Sequence, residues 1–454
     1  MFLGENYLLT NETSKKIYES IQNLPILDLH NHLEAKEIVE NKNWNDLWEV
    51  EGATDHYVWS LMRRCGVNEE YITGKRSNRE KWLALAKIFP CLVGNPTYEW
   101  IHLDLWRLLK IKKIISEETA EEIWEESKEV LAKEEFKPRS VLNKIRAEAL
   151  CTTDDPISDL SYHKRASQEI KEFKMLPTWR PDNAMNIEKE EWKNYVIRLG
   201  DVYNEDVSDL DGFLEALWKS HEQFEENGCI GSDHALLNPL IYFVERKRAE
   251  EIYKKAISGE SLEEEEINDF KAFMMIEFGK MNEEKGWVTQ LHIGALRDYR
   301  KSLFETLGPN SGGDISTNFI EIAEGLRFFL NEFDSRLKII LYVLDPTHLP
   351  TIATIARAFP NVFLGAPWWF NDSPYGMETY LKYVATVDIL YNLAGMVTDS
   401  RKLFSFGSRI EVFRRVLSSV LGEMVEKGQI PYREAVKLAE RISYSGPKEL
   451  FFKL

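Results

Sequence analysis

The run Ile26-Leu27-Asp28-Leu29-His30-Asn31-His32 joins an apolar segment to two histidines that stand two positions apart. Residues two apart on a β-strand share a face, so Asp28, His30 and His32 are expected to point the same way. Two imidazoles about 6–7 Å apart on an extended backbone can converge on one divalent ion. The pattern also fits two polar residues at a strand end, so the remainder of the chain has to distinguish these interpretations.

The composition predicts a globular protein with a large core and no polyanionic partner. The chain has 454 residues, 44% of them hydrophobic, and a formal net charge of −18. This acidic balance argues against binding to nucleic acid or to an anionic membrane surface, and no apolar run is long enough to suggest a membrane span. The cysteines at positions 65, 91, 151 and 229 include no C-x-x-C pair, and no signal-peptide pattern is present. We therefore expect a cytoplasmic protein with reduced thiols.

Short apolar runs recur along the chain, each followed by polar residues and then by a helical pattern. This alternation is typical of parallel βαβ units, and eight such units predict an α/β fold of the closed (β/α)8 TIM-barrel type. A doubly wound open sheet is the competing architecture, but the first strand lacks the glycine-rich phosphate-binding turn that usually follows it there. The predicted strands are Leu24–Leu29, Glu148–Thr153, Lys174–Thr178, Gly228–Ser232, Trp287–His292, Lys338–Leu344, Asn361–Gly365 and Met396–Thr398.

The region 35–146 differs from the rest of the chain because it has almost no strand signal. Aromatic and aliphatic residues recur there at helical spacing, and helices are expected at 79–90, 97–112 and 117–134. A run of helices between two strands predicts a helical subdomain inserted after the first strand. The predicted division is therefore 1–34 (an N-terminal helix and strand one), 35–146 (the insertion) and 147–454 (the remainder of the barrel).

Nearly every predicted strand ends in an ionisable or aromatic residue, and the carboxyl ends of the strands carry the chemistry of such a barrel. His30 and His32 follow the first strand and Asp399 follows the last, and these two strands become neighbours when the barrel closes. Two imidazoles and one carboxylate leave coordination positions open on Zn2+ or a similar ion, as a catalytic site requires. His292, after the fifth strand, is placed across the barrel mouth as a further ligand or an acid–base group.

The remaining histidines are weaker candidates. Three lie in helical patterns and are interpreted as packing or surface residues: His102, His163 and His221. His234 adjoins Asp233, so its side chain is expected to face away from the barrel mouth. His348 lies in the loop after the sixth strand and stays undecided.

Several longer motifs together resemble the uronate isomerase (glucuronate isomerase) family of the amidohydrolase superfamily. The resemblance runs from the N-terminal helix to the last strand, and it is specific as a combination, whereas no shorter motif is specific alone. Besides His30-Asn31-His32, the motifs are Asp55-His56-Tyr57, Cys151-Thr152-Thr153-Asp154-Asp155-Pro156, Trp179-Arg180-Pro181-Asp182, Gly231-Ser232-Asp233-His234, Gln290-Leu291-His292-Ile293-Gly294-Ala295, Trp368-Trp369-Phe370 and Thr398-Asp399-Ser400-Arg401.

The resemblance implies a role for each matching position. The metal ligands correspond to His30, His32 and Asp399, which are expected to hold one divalent ion, with zinc as the expected metal. A histidine–tyrosine pair in the insertion corresponds to His56 and Tyr57. The other catalytic positions correspond to Asp233, His292 and Arg401, and the substrate-binding positions to Arg180, Arg297 and Trp368.

The resemblance also implies a reaction, the interconversion of D-glucuronate with D-fructuronate and of D-galacturonate with D-tagaturonate in hexuronate catabolism. Moving the carbonyl from C1 to C2 requires removal of the C2 proton, return of a proton at C1, and stabilisation of charge on the cis-enediol(ate) oxygens. Tyr57 is the expected base if a cation, with Arg401 as the natural neighbour, lowers its pKa. Arg180 and Arg297 are expected to bind the C6 carboxylate.

Two other classes of function stay open from the sequence. A metal-dependent hydrolase or deaminase would use the same ligands, but a second metal site is incomplete because the sixth predicted strand ends in Asp345 rather than in a histidine. A sugar-acid binding protein would not need so many acid–base side chains. The sequence leaves open the identity of the ion, the preference between the two uronates, and the oligomeric state, a homo-oligomer included.

Overall fold

Nine strands lie within residues 2–452, the part of the chain that this computed structural model describes. Four of the longer ones, β2, β4, β5 and β8, are almost wholly buried, which accounts for their continuous apolar character. The strands are β1 (Ile26–Asp28), β2 (Ala147–Cys151), β3 (Lys174–Leu176), β4 (Gly231–Leu236), β5 (Val288–Ile293), β6 (Ala295–Leu296), β7 (Ile315–Ser316), β8 (Lys338–Val343) and β9 (Val362–Leu364).

Helices connect these strands. Within residues 2–452 the α-helices are α1 (Glu12–Ile21), α2 (Ala35–Glu40), α3 (Leu47–Glu51), α4 (His56–Arg64), α5 (Asn78–Ile88), α6 (Pro96–Leu103), α7 (Ala120–Leu131), α8 (Pro138–Lys144), α9 (Ser161–Glu169), α10 (Asp182–Met185), α11 (Trp192–Tyr203), α12 (Leu210–Glu226), α13 (Arg246–Ser258), α14 (Glu264–Lys285), α15 (Lys301–Leu307), α16 (Ile322–Glu332), α17 (Leu349–Ala358), α18 (Pro374–Val387), α19 (Ser405–Glu426), α20 (Tyr432–Glu440) and α21 (Gly446–Phe452). None of them is long and apolar enough to cross a membrane.

The strands form two parallel sheets and one small antiparallel pair. One sheet has the order β1-β2-β3, the other has the order β4-β5-β8-β9, and β6 pairs with β7. The two parallel sheets are connected because Trp179, just after β3, forms parallel bridges with both Asp154 and Ser232. At the other side of the fold, Leu364 of β9 forms a parallel bridge with Leu393. The protein is therefore a mixed α/β structure built on parallel strands.

The segment after Leu393 returns the chain to β1. The main-chain nitrogen of Thr398 donates to Oδ1 of Asp28 at 2.8 Å, and the nitrogen of Asp399 donates to the carbonyl of His30 at 3.1 Å. The predicted eighth strand, Met396–Thr398, is nevertheless wrong, because these residues form no strand ladder. Left-handed backbone at Gly395 (φ 88°) and Asp399 (φ 50°) limits the extended stretch to three residues.

Two further differences from the predicted strands concern the bounds of β4 and an additional strand pair. β4 continues to Leu236, so Asp233 lies within the strand instead of directly after it. The antiparallel β6–β7 pair was not predicted, because strands of two residues carry too little periodicity to be recognised. The other seven predicted strands are present with shifted ends.

The region 35–146 is helical throughout most of its length, as predicted, and contains no strand. The predicted helices correspond to α5, to α6 with a π-helical turn at Asp104–Leu109, and to α7. Ser77 and Glu80 form a reciprocal capping box that fixes where α5 begins. Most members of one hydrophobic cluster come from this region, and Leu403 and Phe404 join the same cluster from the segment before α19.

Candidate active site

Two imidazoles and one carboxylate meet beyond the carboxyl end of β1. The Nε2 atoms of His30 and His32 each lie 3.1 Å from Oδ1 of Asp399. His30 is buried, whereas the side chain of His32 is 27% exposed and borders the cavity. The three ligand atoms lie within 4.8 Å of one another. The predicted convergence is therefore confirmed, and the role of the residues as metal ligands stays a prediction.

Asp399 is held in the left-handed backbone conformation, with φ 50°. This conformation costs roughly 1–2 kcal/mol for a residue with a Cβ atom and recurs at functional sites. Both carboxylate oxygens are engaged, because Oδ1 faces the two imidazoles and Oδ2 accepts the indole N–H of Trp368 at 2.9 Å. The surrounding contacts thus hold a strained residue in one orientation toward the two histidines.

A second group of buried ionisable residues adjoins the first on β4 and β5. Oδ1 of Asp233 lies 2.6 Å from Nδ1 of His292, and its Oδ2 lies 2.9 Å from the guanidinium of Arg180. The His292 ring stacks on Tyr342 with centroids 4.2 Å apart and lies 4.3 Å from the His30 ring. Nε2 of His292 is buried without a hydrogen-bond partner among the described residues, and His292 borders the cavity. The arrangement presents one free imidazole nitrogen next to the proposed ligands.

The charges of this group follow from burial and pairing. Burial opposes ionisation of Asp233, but Arg180 and His292 outweigh it and hold its pKa well below the usual range. Burial lowers the pKa of His292, although Asp233 acts against this effect. At neutral pH the pair is therefore a carboxylate and a neutral imidazole, which can accept a proton.

The donor set fits one divalent ion. His30, His32 and Asp399 offer two imidazole nitrogens and a carboxylate oxygen, which are ligand types of zinc and similar ions. A second set, His30, Asp233 and His292, also lies within 4.8 Å. The guanidinium of Arg180 already neutralises Asp233, however, so a second cation at that set would face a fixed positive charge.

His56 and Tyr57 lie at the start of α4. Asp55 caps this helix because its Oδ1 accepts the main-chain N–H of Tyr57 at 2.8 Å. His56 borders the cavity, and burial together with the positive charge of Arg401 lowers its pKa to about 4. The Tyr57 hydroxyl is buried without a hydrogen-bond partner among the described residues. Burial and the charge of Asp399 raise the pKa of Tyr57 well above its usual value.

The guanidinium in contact with the Tyr57 ring belongs to Arg409, whereas the sequence predicted Arg401. Arg409 lies 5.1 Å from the Tyr57 ring centroid and 4.1 Å from that of Trp100. Arg401 borders the cavity and donates to Oδ1 of Asn310 at 3.2 Å. Arg401 also interacts electrostatically with Tyr57. Burial nevertheless outweighs Arg409 and raises the pKa of Tyr57, and its role as the base stays a prediction.

Most of the predicted site residues border one cavity of about 870 Å³. Arg297 stacks over Trp369 at 4.7 Å and pairs with Asp314 at 2.8 Å. Arg180 pairs with Asp182 at 2.8 Å in addition to its contact with Asp233. The wall contains His30, His32, His56, Arg180, His292, Arg297, Trp368, Asp399 and Arg401, while Tyr57 and Asp233 lie behind it.

Four of the other histidines pack inside the fold and do not border the cavity. His234 contacts Oγ of Ser232 at 2.8 Å and stacks on Phe278, so it faces away from the cavity as predicted. Three more lie on helices and have buried side chains: His102, His163 and His221. His348 is buried outside the cavity wall, and no role for it follows from its position.

Sequence reasoning missed several residues that support this site. Arg409 lies among apolar residues of α19, and a single arginine in an apolar helical face was the available signal. Tyr342 supports His292 by stacking, and Gly365 permits this position because a Cβ atom there would lie 2.1 Å from the Tyr342 ring. The sequence carried no signal for that contact. It arises only where two neighbouring strands pack.

One cavity at the ends of the parallel strands thus brings together a buried carboxylate–imidazole pair, a set of metal-type donors and several guanidinium groups. This combination defines an enzyme active site. The family model of glucuronate isomerase matches residues 1–451. The uronate isomerase of Thermotoga neapolitana is 71% identical over 452 residues, which cover 100% of both chains.

Solved structures agree with this result. The crystal structure of uronate isomerase from Thermotoga maritima superposes with a TM-score of 0.98 at 69% identity and covers 100% of both chains. That of glucuronate isomerase from Caulobacter crescentus gives a TM-score of 0.96 at 26% identity, covering 99% of this chain and 97% of the other. The chain therefore belongs to the glucuronate isomerase family and is an isomerase.

Proposed function

We propose that this chain converts D-glucuronate to D-fructuronate and D-galacturonate to D-tagaturonate. One observation carries the proposal. The donor set of His30, His32 and Asp399 shares its cavity with the neutral imidazole of His292 and with three guanidinium groups. Proton transfer on a sugar acid needs this combination of an oxygen-binding site, an acid–base group and cations that pair with a carboxylate.

We also propose that the parallel strands close into a (β/α)8 barrel with residues 35–146 as a helical insertion. The bridges of Trp179 to Asp154 and Ser232, and of Leu364 to Leu393, support closure. The hydrogen bond from Asp399 to the carbonyl of His30 at 3.1 Å supports a link between the first and last units. In this arrangement the cavity lies at the carboxyl ends of the strands.

The substrate carboxylate is an anion and requires a cationic partner. Arg180 and Arg297 already contact Asp233 and Asp314, so they offer their remaining N–H groups. Arg401 donates to a neutral amide oxygen, and burial together with the nearby Arg297 lowers its pKa. An anion placed between Arg297 and Arg401 would relieve their mutual repulsion. We propose that the carboxylate lies within reach of these guanidinium groups.

Proton movement is assigned to two groups. Tyr57 is proposed as the base at C2, which requires that its hydroxyl reach the cavity and that cations in the substrate-bound site offset its raised pKa. The Asp233–His292 pair is proposed to carry a proton between the hydroxyl and carbonyl oxygens, because Asp233 holds Nδ1 and leaves Nε2 available. Asp233 also fixes the ring orientation by its contact at 2.6 Å.

His30, His32 and Asp399 would hold one divalent ion, with zinc proposed as the metal. When bound, such an ion supplies a Lewis acid that orients substrate oxygens and stabilises their developing negative charge. Trp368 keeps Asp399 in place through its indole N–H.

The test is an NMR or coupled-dehydrogenase assay of the purified protein with D-glucuronate and D-galacturonate, before and after chelation, with elemental analysis of the same samples. We expect ketose acids from both uronates, one metal ion per chain, and lower activity after chelation that returns with added zinc. No turnover of either uronate would contradict the proposed reaction. Full activity of a metal-free sample would contradict only the proposed need for the ion.

A further inference from the structure

A buried ammonium group lies behind the active site, and none of the roles above uses it. The side chain of Lys402 is 3% exposed, and its Nζ lies 2.6 Å from Glu51, 3.6 Å from Asp55 and 3.8 Å from Asp104. Glu51 ends α3, Asp55 precedes α4 and Asp104 follows α6. Lys402 itself comes from the segment before α19. One cation thus joins that segment to three elements of the helical region.

The contact with Asp55 leads directly to the site. Oδ2 of Asp55 faces Lys402 at 3.6 Å, while Oδ1 accepts the N–H of Tyr57 at 2.8 Å. The orientation of this one carboxylate therefore sets where α4 begins, and α4 begins with His56 and Tyr57. On its other side Lys402 adjoins Arg401, and its main-chain N–H donates to Oγ of Ser400 at 3.1 Å. Lys402 therefore contacts the cap of the helix that carries His56 and Tyr57, and it is also the chain neighbour of Arg401.

Stability alone is a weak reason for such a cluster. Burying charged groups is costly, and replacing a buried ion pair by apolar side chains of similar volume is often neutral or stabilising. Burial raises the pKa of Glu51 to about 7 and holds that of Asp104 well above its usual range. Burial therefore opposes ionisation of both carboxyls, which makes the cluster costly to keep. A charge kept under these conditions is better explained by the geometry that it imposes.

We propose that Lys402 is a positioning residue, which fixes the Asp55 cap and thereby sets His56 and Tyr57 relative to Arg401. The proposal deepens the proposed function and rests on the roles given there to these three residues. Lys402 does not touch the cavity, so it acts only through its neighbours. Displacement of a catalytic group by about 1 Å can lower a rate about 100-fold.

The first test is a double-mutant cycle on kcat with D-glucuronate. Lys402→Met removes the ammonium, whereas Asp55→Asn keeps a capping oxygen and removes the charge that faces Lys402. We expect each variant to lose about 100-fold in kcat with KM within about threefold, and the double variant to be no worse than either. Multiplicative losses, or a kcat for Lys402→Met near wild type, would overturn the proposal. If Lys402→Met does not fold, Asp55→Asn has to show the same kcat loss at unchanged KM.

Two matched controls separate positioning from stability. Asp104→Asn mimics the protonated carboxyl in the same cluster and leaves the Lys402–Asp55 contact intact, so kcat should stay within about threefold. Arg415→Met removes a different buried cation, which lies on α19 and contacts the carbonyls of Glu5 and Tyr7 away from the cavity. It should lower Tm without lowering kcat. Equal kcat losses in these controls would show that any disturbance of the core has the same effect.

A second readout does not depend on turnover. Hydrogen exchange of the Tyr57 amide reports whether the cap of α4 is held, and we expect it to be at least 10-fold faster in Lys402→Met than in wild type. Unchanged exchange would overturn the positioning role. If wild-type protein fails to isomerise either uronate, the proposed function fails, while the exchange experiment still decides whether Lys402 holds α4.

Discussion

Tyr57 combines a proposed chemical role with an unfavourable environment. Its hydroxyl is buried, has no hydrogen-bond partner among the described residues, and carries a raised pKa. An unpaired buried hydroxyl costs about 1–3 kcal/mol in folding. Asp399 is also in an unfavourable state, because its backbone is held in the left-handed conformation at φ 50°. Unfavourable local conformations and unpaired groups of this kind concentrate where function requires them.

Replacing Tyr57 by phenylalanine separates chemistry from folding. Because the hydroxyl donates to no described residue, Tyr57→Phe should keep or slightly raise Tm, while kcat on D-glucuronate should fall by about 100-fold or more. Thermal unfolding and a steady-state assay measure the two effects.

Tyr253→Phe is the matched control, because its buried hydroxyl donates to the carbonyl of Val207 at 2.7 Å. That variant should lose about 1 kcal/mol of stability and no activity. Near wild-type kcat in Tyr57→Phe would exclude it as the base.

At the scale of elements, the segment 295–321 closes one side of the cavity. It leaves β5 through β6, carries α15, and returns through β7 to α16. Its tip is attached to the helical insertion, since Arg63 of α4 donates to the carbonyl of Ser311. Asn310 of the same tip accepts a hydrogen bond from Arg401 at 3.2 Å. The segment therefore connects the insertion to the wall of the site.

Asn310→Ala tests this connection. Losing the contact with Arg401 should raise KM for D-glucuronate about fivefold, which corresponds to about 1 kcal/mol. The effect should be no larger, because Asn310 is exposed and water replaces part of the hydrogen bond. Amide exchange in 297–316 should become faster, while Tm changes little. Lys301→Ala, an exposed position on the same segment, should leave KM and exchange unchanged. Equal KM values for wild type and Asn310→Ala would show that the tip does not influence substrate binding.

At the scale of the whole molecule, buried carboxyls make stability depend on pH. Burial raises the pKa of Asp372 to about 7 despite its contact with Arg409 at 3.1 Å. An acid with a raised folded-state pKa binds its proton more tightly in the folded protein. Its contribution to stability is therefore complete below its unfolded pKa near 4 and is lost as the pH rises through about 7.

Asp372→Asn should remove this part of the pH dependence. We expect the free energy of unfolding of wild type to fall by up to about 4 kcal/mol more than that of Asp372→Asn between pH 4 and pH 8. Urea unfolding at several pH values measures the difference. Asp201→Asn, at an exposed position, should reproduce the wild-type slope. Parallel curves for wild type and Asp372→Asn would contradict the assigned titration.

The sequence alone determined the seven confirmed strands and the helical character of 35–146, because short apolar runs and helical periodicity are local patterns. It also placed His30, His32 and Asp399 together, since the carboxyl ends of parallel strands meet on one side of the fold. The predicted eighth strand is wrong because left-handed residues lie directly before and after it, and the backbone conformation of Asp399 cannot be predicted from its residue type.

Only the tertiary structure decided which cationic side chain contacts which aromatic ring or carboxylate. Arg409 rather than Arg401 contacts the Tyr57 ring, and Arg180 pairs with Asp233. Lys402 meets Glu51 across a separation of 351 positions along the chain. Such pairs depend on how helices pack against one another and on the direction of long flexible side chains. Motif spacing along the chain carries no information about either, so these contacts appear only when the folded chain is seen.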